Sequence, residues 1–135
     1  MRRLAPVRQP LDRPQRSERI AVSPDPVRLH RWDEIALEKV TEMISRKIVA
    51  GEREMIAQVY LKKGALVPLH SHESEQMTYV LQGALKFLIE GEEITVREGE
   101  VLHIPSFVEH QSEALDDTFE LDVFSPVRRD WVDET

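Results

Sequence analysis

Short segments with apolar residues at alternate positions dominate the chain from Val40 onward. In ALKFLIE (84–90), Leu85, Phe87 and Ile89 occupy every second position. Because side chains two residues apart point to the same face of a strand, this period predicts β-structure. Seven segments of this kind, rich in β-branched and aromatic residues, are VTEMISRKIVA (40–50), MIAQVYLKK (55–63), MTYVLQ (77–82), ALKFLIE (84–90), EITVRE (93–98), EVLHIP (100–105) and FELDVFS (119–125).

Glycines separate these segments and indicate where the chain turns. They stand at positions 51, 64, 83, 91 and 99, and EGEE (90–93) between two strand segments predicts a hairpin. Short strands at intervals of about 8–12 residues, without a long helical pattern, predict an all-β antiparallel sandwich or barrel. WDEIALEKV (32–40) favours a short helix at the entry to this domain.

The first 31 residues have a different character. They contain five of the eight prolines and eight arginines against three acids, a net charge of +5, whereas the remainder carries −12. Proline removes backbone donors and disfavours helix before it, so residues 1–31 are expected to form an extended or disordered arm. Residues 32–135 then form the domain. The negative charge of this domain opposes nucleic-acid binding. The arm contains no aromatic residue, so we expect it to be solvated or to cover a partner.

The overall composition sets limits on location and chemistry. The 135 residues suit one domain, and no apolar run approaches the roughly 20 residues that span a bilayer. The basic start MRRLAPVRQP is followed by no apolar segment, so we expect neither a secretory signal nor a membrane location. The absence of cysteine excludes disulfides and thiolate zinc sites and is consistent with a cytoplasmic protein.

The stretch HSHESEQ (70–76) carries the strongest chemical signal. His70 and His72 are two residues apart, so on a strand both imidazoles would point to one face, as two ligands of one metal must. Gln76 follows, and His110 lies after a later strand that antiparallel pairing could bring to the same face. The acids Glu73 and Glu75 are rival ligands, and Gln76 could instead form only a hydrogen bond, leaving three histidines.

The spacing of the whole region is more specific than any of its residues. Five residues separate Gly64 from His70, three separate His72 from Gln76, and six separate Gln76 from Gly83. In the second block Gly99, Pro105 and His110 follow at fixed distances. These two blocks resemble the paired motifs of the cupin superfamily, in which a small β-barrel (double-stranded β-helix or jelly roll) encloses a metal. Two departures from that pattern are Phe107, in place of a common glycine, and Ala114, in place of a common asparagine.

The terminal segment FELDVFSPVRRDW (119–131) adds a second cluster. Glu120, Asp122 and Phe124 share one face of a predicted strand, which either lines the interior or places solvated acids outside. HxHxxxQ together with DVFSPxR resembles the small pectin- and alginate-degradation cupins that linearise 4,5-unsaturated uronates. That resemblance implies metal binding by the three histidines and Gln76, and a substrate-facing role for Asp122, Phe124 and Arg128.

The implied function is a metal-dependent, isomerase- or lyase-like enzyme that opens and ketonises an unsaturated uronate or a related acidic sugar. Asp122 would be the general acid/base, Arg128 would grip the substrate carboxylate (with Arg129 as the alternative), and Phe124 would shape the pocket. Tyr79 and His103 are expected at the pocket wall, where they contact substrate or pack.

Two other functions remain open from the sequence. Three histidines and one oxygen ligand also suit a dioxygenase with redox-active iron or copper, and a third possibility is a non-catalytic cupin that senses a sugar or metabolite. The donor set accepts one divalent zinc, nickel, iron, manganese or copper ion, and the neutral Gln76 amide leaves the ion its full charge as a Lewis acid. We expect a small anionic substrate and a homodimer.

Overall fold

The computed structural model describes residues 26–132, so most of the predicted arm lies outside the described residues. Residues 26–31 are exposed and belong to no helix or strand. The first regular element is a single 3-10 turn at Trp32–Glu34, which replaces the short helix expected there. No helix within the described part of the chain is long and apolar enough to cross a membrane.

The all-β prediction is confirmed, since the described residues form ten strands and one short helix. The bounds are β1 Glu38–Lys39, β2 Ile44–Ala50, β3 Met55–Leu61, β4 Leu66–His70, β5 Glu75–Gln82, β6 Ala84–Ile89, β7 Glu92–Arg97, β8 Val101–Ile104, β9 His110–Ala114, β10 Thr118–Ser125 and α1 Arg129–Val132. All seven predicted segments contain a strand. The pattern did not predict β9, whose sequence HQSEA is polar.

The strands pair antiparallel in two sheets. One sheet has six strands in the order β1-β2-β3-β10-β5-β8, and the other has four in the order β4-β9-β6-β7. The predicted hairpin at EGEE joins β6 to β7, and its two central residues, Glu90 and Gly91, both have positive φ angles (52° and 81°). Such a two-residue turn matches the twist of the flanking strands.

The core lies between the two sheets because each strand presents every second side chain inward. In β6 the inward residues are Leu85 and Phe87, as the alternation predicts, and in β3 they include Ala57 and Val59. Burying a side chain the size of Leu85 contributes about 1.5–3 kcal/mol. Toward one end of the barrel, polar side chains replace these apolar ones, and there a cavity opens.

Two turn positions require backbone that most residues avoid. Gly83 has a φ of +92°, and a Cβ there would lie 2.4 Å from the Asp117 carbonyl oxygen, so glycine is needed on both counts. Phe107 also lies in the left-handed region, with a φ of 65°, although 67% of its surface is exposed. Phe107, which stands where the cupin pattern commonly has a glycine, therefore adopts the left-handed conformation that glycine favours.

Candidate functional site

A cavity of about 430 Å³ opens between the two sheets. Its apolar wall is formed by side chains from β2, β3, β6, β10 and α1, among them Ile44, Val59, Phe87, Phe124 and Trp131. Its polar part contains Gln76, the imidazoles of His70 and His110, three carboxyl groups and two guanidinium groups. A largely apolar cavity with a few converging polar groups is typical of a small-molecule site.

Three histidines from different segments meet at this cavity. His70 is the last residue of β4 and pairs with His110, the first residue of β9. His72 lies beyond the end of β4, in the connection to β5, so the prediction that both HxH histidines sit on one strand is wrong. Their ligand atoms nevertheless lie within 4.8 Å of one another, and the three residues can hold a metal ion.

Each imidazole is oriented by a nearby backbone carbonyl. The Nδ1 atoms of His70, His72 and His110 lie 2.8, 2.9 and 2.8 Å from the carbonyl oxygens of residues 68, 74 and 108 respectively. A carbonyl can only accept, so each Nδ1 carries the hydrogen and each Nε2 keeps a free lone pair. This is the arrangement in which metal-binding histidines are usually held.

The burial and protonation of His110 are those expected of a metal-binding histidine. Its Nε2 atom is buried and has no hydrogen-bond partner among residues 26–132. Burial lowers the pKa of His110 to about 4, and burial also lowers the pKa of His72. Both rings are therefore neutral at neutral pH, with lone pairs available to a cation.

Gln76 brings an amide oxygen to the same place. It is buried on β5, and its Oε1 atom lies 3.1 Å from the Nε2 atom of His72. Two ligands about 2.1 Å from one ion, at roughly a right angle, would be about 3 Å apart, so the separation suits shared coordination. The rival ligands point elsewhere: Glu73 is exposed, and Glu75 lies on the outer face of β5.

Two carboxyl groups on β10 face into the cavity. Asp122 and Glu120 are 5% and 6% exposed, which rules out the alternative of solvated acids on the outside. Burial raises the pKa of both carboxyl groups, and the pKa of Glu120 is raised well above its usual value because Asp122 also lies beside it. The direction of this shift favours the neutral form of Glu120 beside Asp122. We assigned Glu120 no role from sequence, although its position two residues from Asp122 placed it on the same face.

Arg128 enters the cavity from the chain after β10. The Nε and Nη2 atoms donate to Asp130 at 3.1 and 2.7 Å, and this hydrogen bonding lowers the pKa of Asp130. The guanidinium also lies over the rings of Trp131 (4.7 Å) and Phe124 (5.3 Å). One edge of Arg128, formed by Nη1 and the second Nη2 hydrogen, is left for a ligand. Arg129, the alternative, is exposed.

A second guanidinium, from Arg46 on β2, lines the cavity and had not been identified from sequence. It donates to Glu38 at 3.0 and 3.2 Å and lies 4.1 Å from the centre of the Trp131 ring. The indole of Trp131 therefore contacts both arginines. No signal in a single sequence pairs β2 with the last helix, because this contact joins opposite ends of the domain.

Tyr79 and His103 do not reach the cavity, which corrects their predicted place at the pocket wall. Since Gln76 points inward on β5, Tyr79, three residues later, points outward and is 39% exposed. His103 lies on the same outer face, where its Nε2 atom is 2.6 Å from the carboxylate of Glu75. Because Gln76 and Tyr79 are an odd number of residues apart, the sequence itself predicts that their side chains point to opposite faces of the strand.

Comparison with known proteins finds the cupin domain. The model of the cupin domain family matches residues 57–125, which span β3 to β10. The chain is also 30% identical over 103 residues to the pectin degradation protein KdgF of Dickeya dadantii, a match that covers 74% of this chain and 94% of that protein. The cupin resemblance drawn from the two motif blocks is confirmed.

Solved structures give the same result. The structure of KdgF from a Halomonas species has a TM-score of 0.70 and 34% identity, and the match covers 74% of this chain and 95% of that one. An RmlC-like cupin from Shewanella frigidimarina has a TM-score of 0.74 at 22% identity, over 79% of this chain and 97% of that one. At that lower identity the likeness concerns the fold alone.

Proposed function

The chain belongs to the cupin family, and we propose that it is a metal-dependent enzyme that opens and ketonises unsaturated uronates. The observation that carries this proposal is a cluster of three imidazoles, two of which line a cavity together with a buried carboxyl pair and a guanidinium. Similarity to a pectin degradation protein over nearly its whole length supports an acidic sugar as the substrate class. The motifs HxHxxxQ and DVFSPxR support the same class.

We propose that one divalent transition metal is held by four neutral ligands. Its ligands would be the Nε2 atoms of His70, His72 and His110 and the Oε1 atom of Gln76. When bound, the ion would supply Lewis-acid polarisation of a substrate oxygen, undiminished by any ligand charge. Zinc, nickel, iron, manganese and copper all accept such donors.

The proposed reaction needs one proton to be removed and one to be added. A 4,5-unsaturated uronate is a cyclic hemiacetal with an enol ether beside its carboxylate. Loss of the proton on the anomeric hydroxyl lets that oxygen form the aldehyde while the bond between carbon 1 and the ring oxygen breaks. The ring oxygen leaves with the electron pair as an enolate, which becomes a ketone when carbon 4 takes a proton. Substrate and product are isomers, so no co-reactant is consumed.

Asp122 would move the proton. Its carboxyl group faces the cavity; in its ionised form it would accept the hydroxyl proton, and the same group would then return a proton to carbon 4. Arg128 would hold the substrate carboxylate by its free edge while its other edge stays on Asp130. Phe124 would pack against the sugar ring and exclude water.

A direct assay tests this function. Unsaturated uronate, released by a polysaccharide lyase and a matching hydrolase, is mixed with metal-loaded protein, and the loss of conjugated ultraviolet absorbance is compared with the spontaneous rate. We expect clear acceleration by the wild-type protein and a fall of about 10²–10⁴-fold for Asp122→Asn. Asp33→Asn, at an exposed position, is the control. If metal-loaded wild-type protein did not accelerate the loss of absorbance, the proposed function would be wrong.

We also propose that two copies associate through the outer face of the six-stranded sheet. Exposed apolar side chains lie on adjacent strands there, namely Tyr60, Met77, Tyr79, Val101 and Val123. A row of this kind on an open sheet supports burial against a partner. Light scattering after gel filtration should give a dimer mass that Tyr79→Lys with Val101→Lys reduces to a monomer. A monomer at all wild-type concentrations would contradict this.

A further inference from the structure

Thr78 connects the proposed metal ligand to the proposed proton carrier. It lies on β5 with 0% of its surface exposed, directly opposite Asp122 of β10 in the strand register. Its Oγ1 atom accepts a hydrogen bond from Gln76 Nε2 at 2.9 Å and donates one to Asp122 Oδ1 at 2.7 Å. Gln76 and Asp122 line the cavity, and Thr78 touches both of them.

The single hydrogen of this hydroxyl fixes the direction of the whole chain of bonds. The Thr78 hydroxyl donates its one hydrogen to Asp122 Oδ1, so the Thr78 oxygen can only accept from Gln76, and it receives the hydrogen of the Nε2 group. If the amide were flipped, its oxygen would face Thr78, and one hydrogen would have to serve two acceptors. The flipped amide would also turn its NH2 group toward the histidines. The hydroxyl thus selects the orientation that presents Oε1 to His72.

We infer that Thr78 is a positioning residue that holds the Gln76 amide in the metal-binding orientation and orients the Asp122 carboxylate beside it. This inference rests on the proposed metal site and names a residue outside the cavity wall that controls it. Partners that orient metal ligands in this way typically change metal affinity or activity about 10–100-fold when they are removed. A threonine whose only role was packing would leave metal affinity unchanged.

Three variants separate positioning from packing. Thr78→Val keeps the shape and removes the hydroxyl, whereas Thr78→Ser keeps the hydroxyl. Thr118→Val is the matched control, because Thr118 is also buried and its hydroxyl bonds to Ala84, but at the opposite end of β10. Zinc affinity is measured by competition with a chromophoric chelator, and folding is checked by thermal unfolding.

We expect Thr78→Val to weaken zinc binding about 10–100-fold, with Thr78→Ser and Thr118→Val close to wild type. In a Gln76→Ala background, Thr78→Val should weaken zinc binding no further, because its effect passes through the amide. The inference would be overturned if Thr78→Val bound zinc as tightly as wild type, or if it lost the same affinity with and without the Gln76 side chain. It would also be overturned if the wild-type protein bound no zinc. None of these readouts uses uronate, so an inactive protein that binds zinc as expected would overturn only the proposed reaction.

Discussion

The buried carboxyl pair on β10 makes a prediction about stability that needs no substrate. Burial raises the pKa of Glu120 well above its usual value, which favours the neutral form, and its Oε1 atom has no hydrogen-bond partner in the described part of the chain. Replacing it by glutamine keeps the shape and the hydrogen-bond donor toward Asp122 but removes the ability to ionise. The Glu120→Gln protein should therefore differ from wild type by an amount that depends on pH.

The sign follows from the raised pKa of Glu120. Above its usual pKa of about 4.5 the unfolded chain loses this proton while the folded protein keeps it, so folding is opposed as pH rises. Between the unfolded and folded pKa values, wild type should lose about 1.4 kcal/mol of unfolding free energy per pH unit relative to Glu120→Gln. Below pH 4 the difference between the two proteins should stop changing with pH.

Urea denaturation of both proteins from pH 3 to pH 8, with a chelator present, measures this difference. All other groups of the cavity are common to both proteins, so contributions that do not depend on residue 120 cancel when the two curves are subtracted. Glu92→Gln removes one exposed carboxylate and serves as the control for net charge. A difference that is flat above pH 4.5, or that favours wild type increasingly as pH rises, would refute a protonated Glu120.

Three further predictions concern single side chains. Arg128→Lys removes the free guanidinium edge, so KM for the uronate should rise about tenfold or more, measured by the ultraviolet assay; an unchanged KM would contradict the carboxylate grip. Gln76→Glu adds a charged ligand, so zinc affinity should rise while kcat falls about tenfold, and a faster variant would contradict the neutral-ligand argument. Phe107→Gly relieves left-handed backbone at an exposed residue, so the free energy of unfolding should rise by about 0.5–1 kcal/mol in urea denaturation, and a loss would show that the Phe107 ring is needed.

The strands and the proposed metal ligands were accessible from the sequence because each rests on a local pattern. Alternation of period two located β3, β6 and β10, but it left open which face of β10 points inward, and only the resemblance to the uronate cupins favoured an inward Asp122. The histidines were found by their spacing alone. The strand β9 was missed because its inward residues, His110, Ser112 and Ala114, are small or polar where they pass the cavity. A strand that builds a polar site lacks the apolar alternation by which strands are recognised.

The part of the cavity proposed to bind substrate was less accessible because it depends on contacts between distant segments. Arg46 meets Trp131 across 85 residues of chain, and Thr78 acquires its role from a hydrogen bond to β10. Such contacts depend on which strands become neighbours, and the local sequence of one strand does not determine its neighbours. Tyr79 is a different case, since the inward direction of Gln76 already determined that it faces out.

The carbonyl contacts of the three histidines have a consequence for how this protein can change over evolution. Each imidazole is aimed by a backbone oxygen only two residues away, so no side chain elsewhere is needed to aim the three rings. The residues that would contact a substrate depend instead on one another across the barrel. Mutations in that second group can alter ligand preference while the triad keeps its geometry. A descendant of this chain could thus acquire a different ligand preference while the proposed metal site stays unchanged.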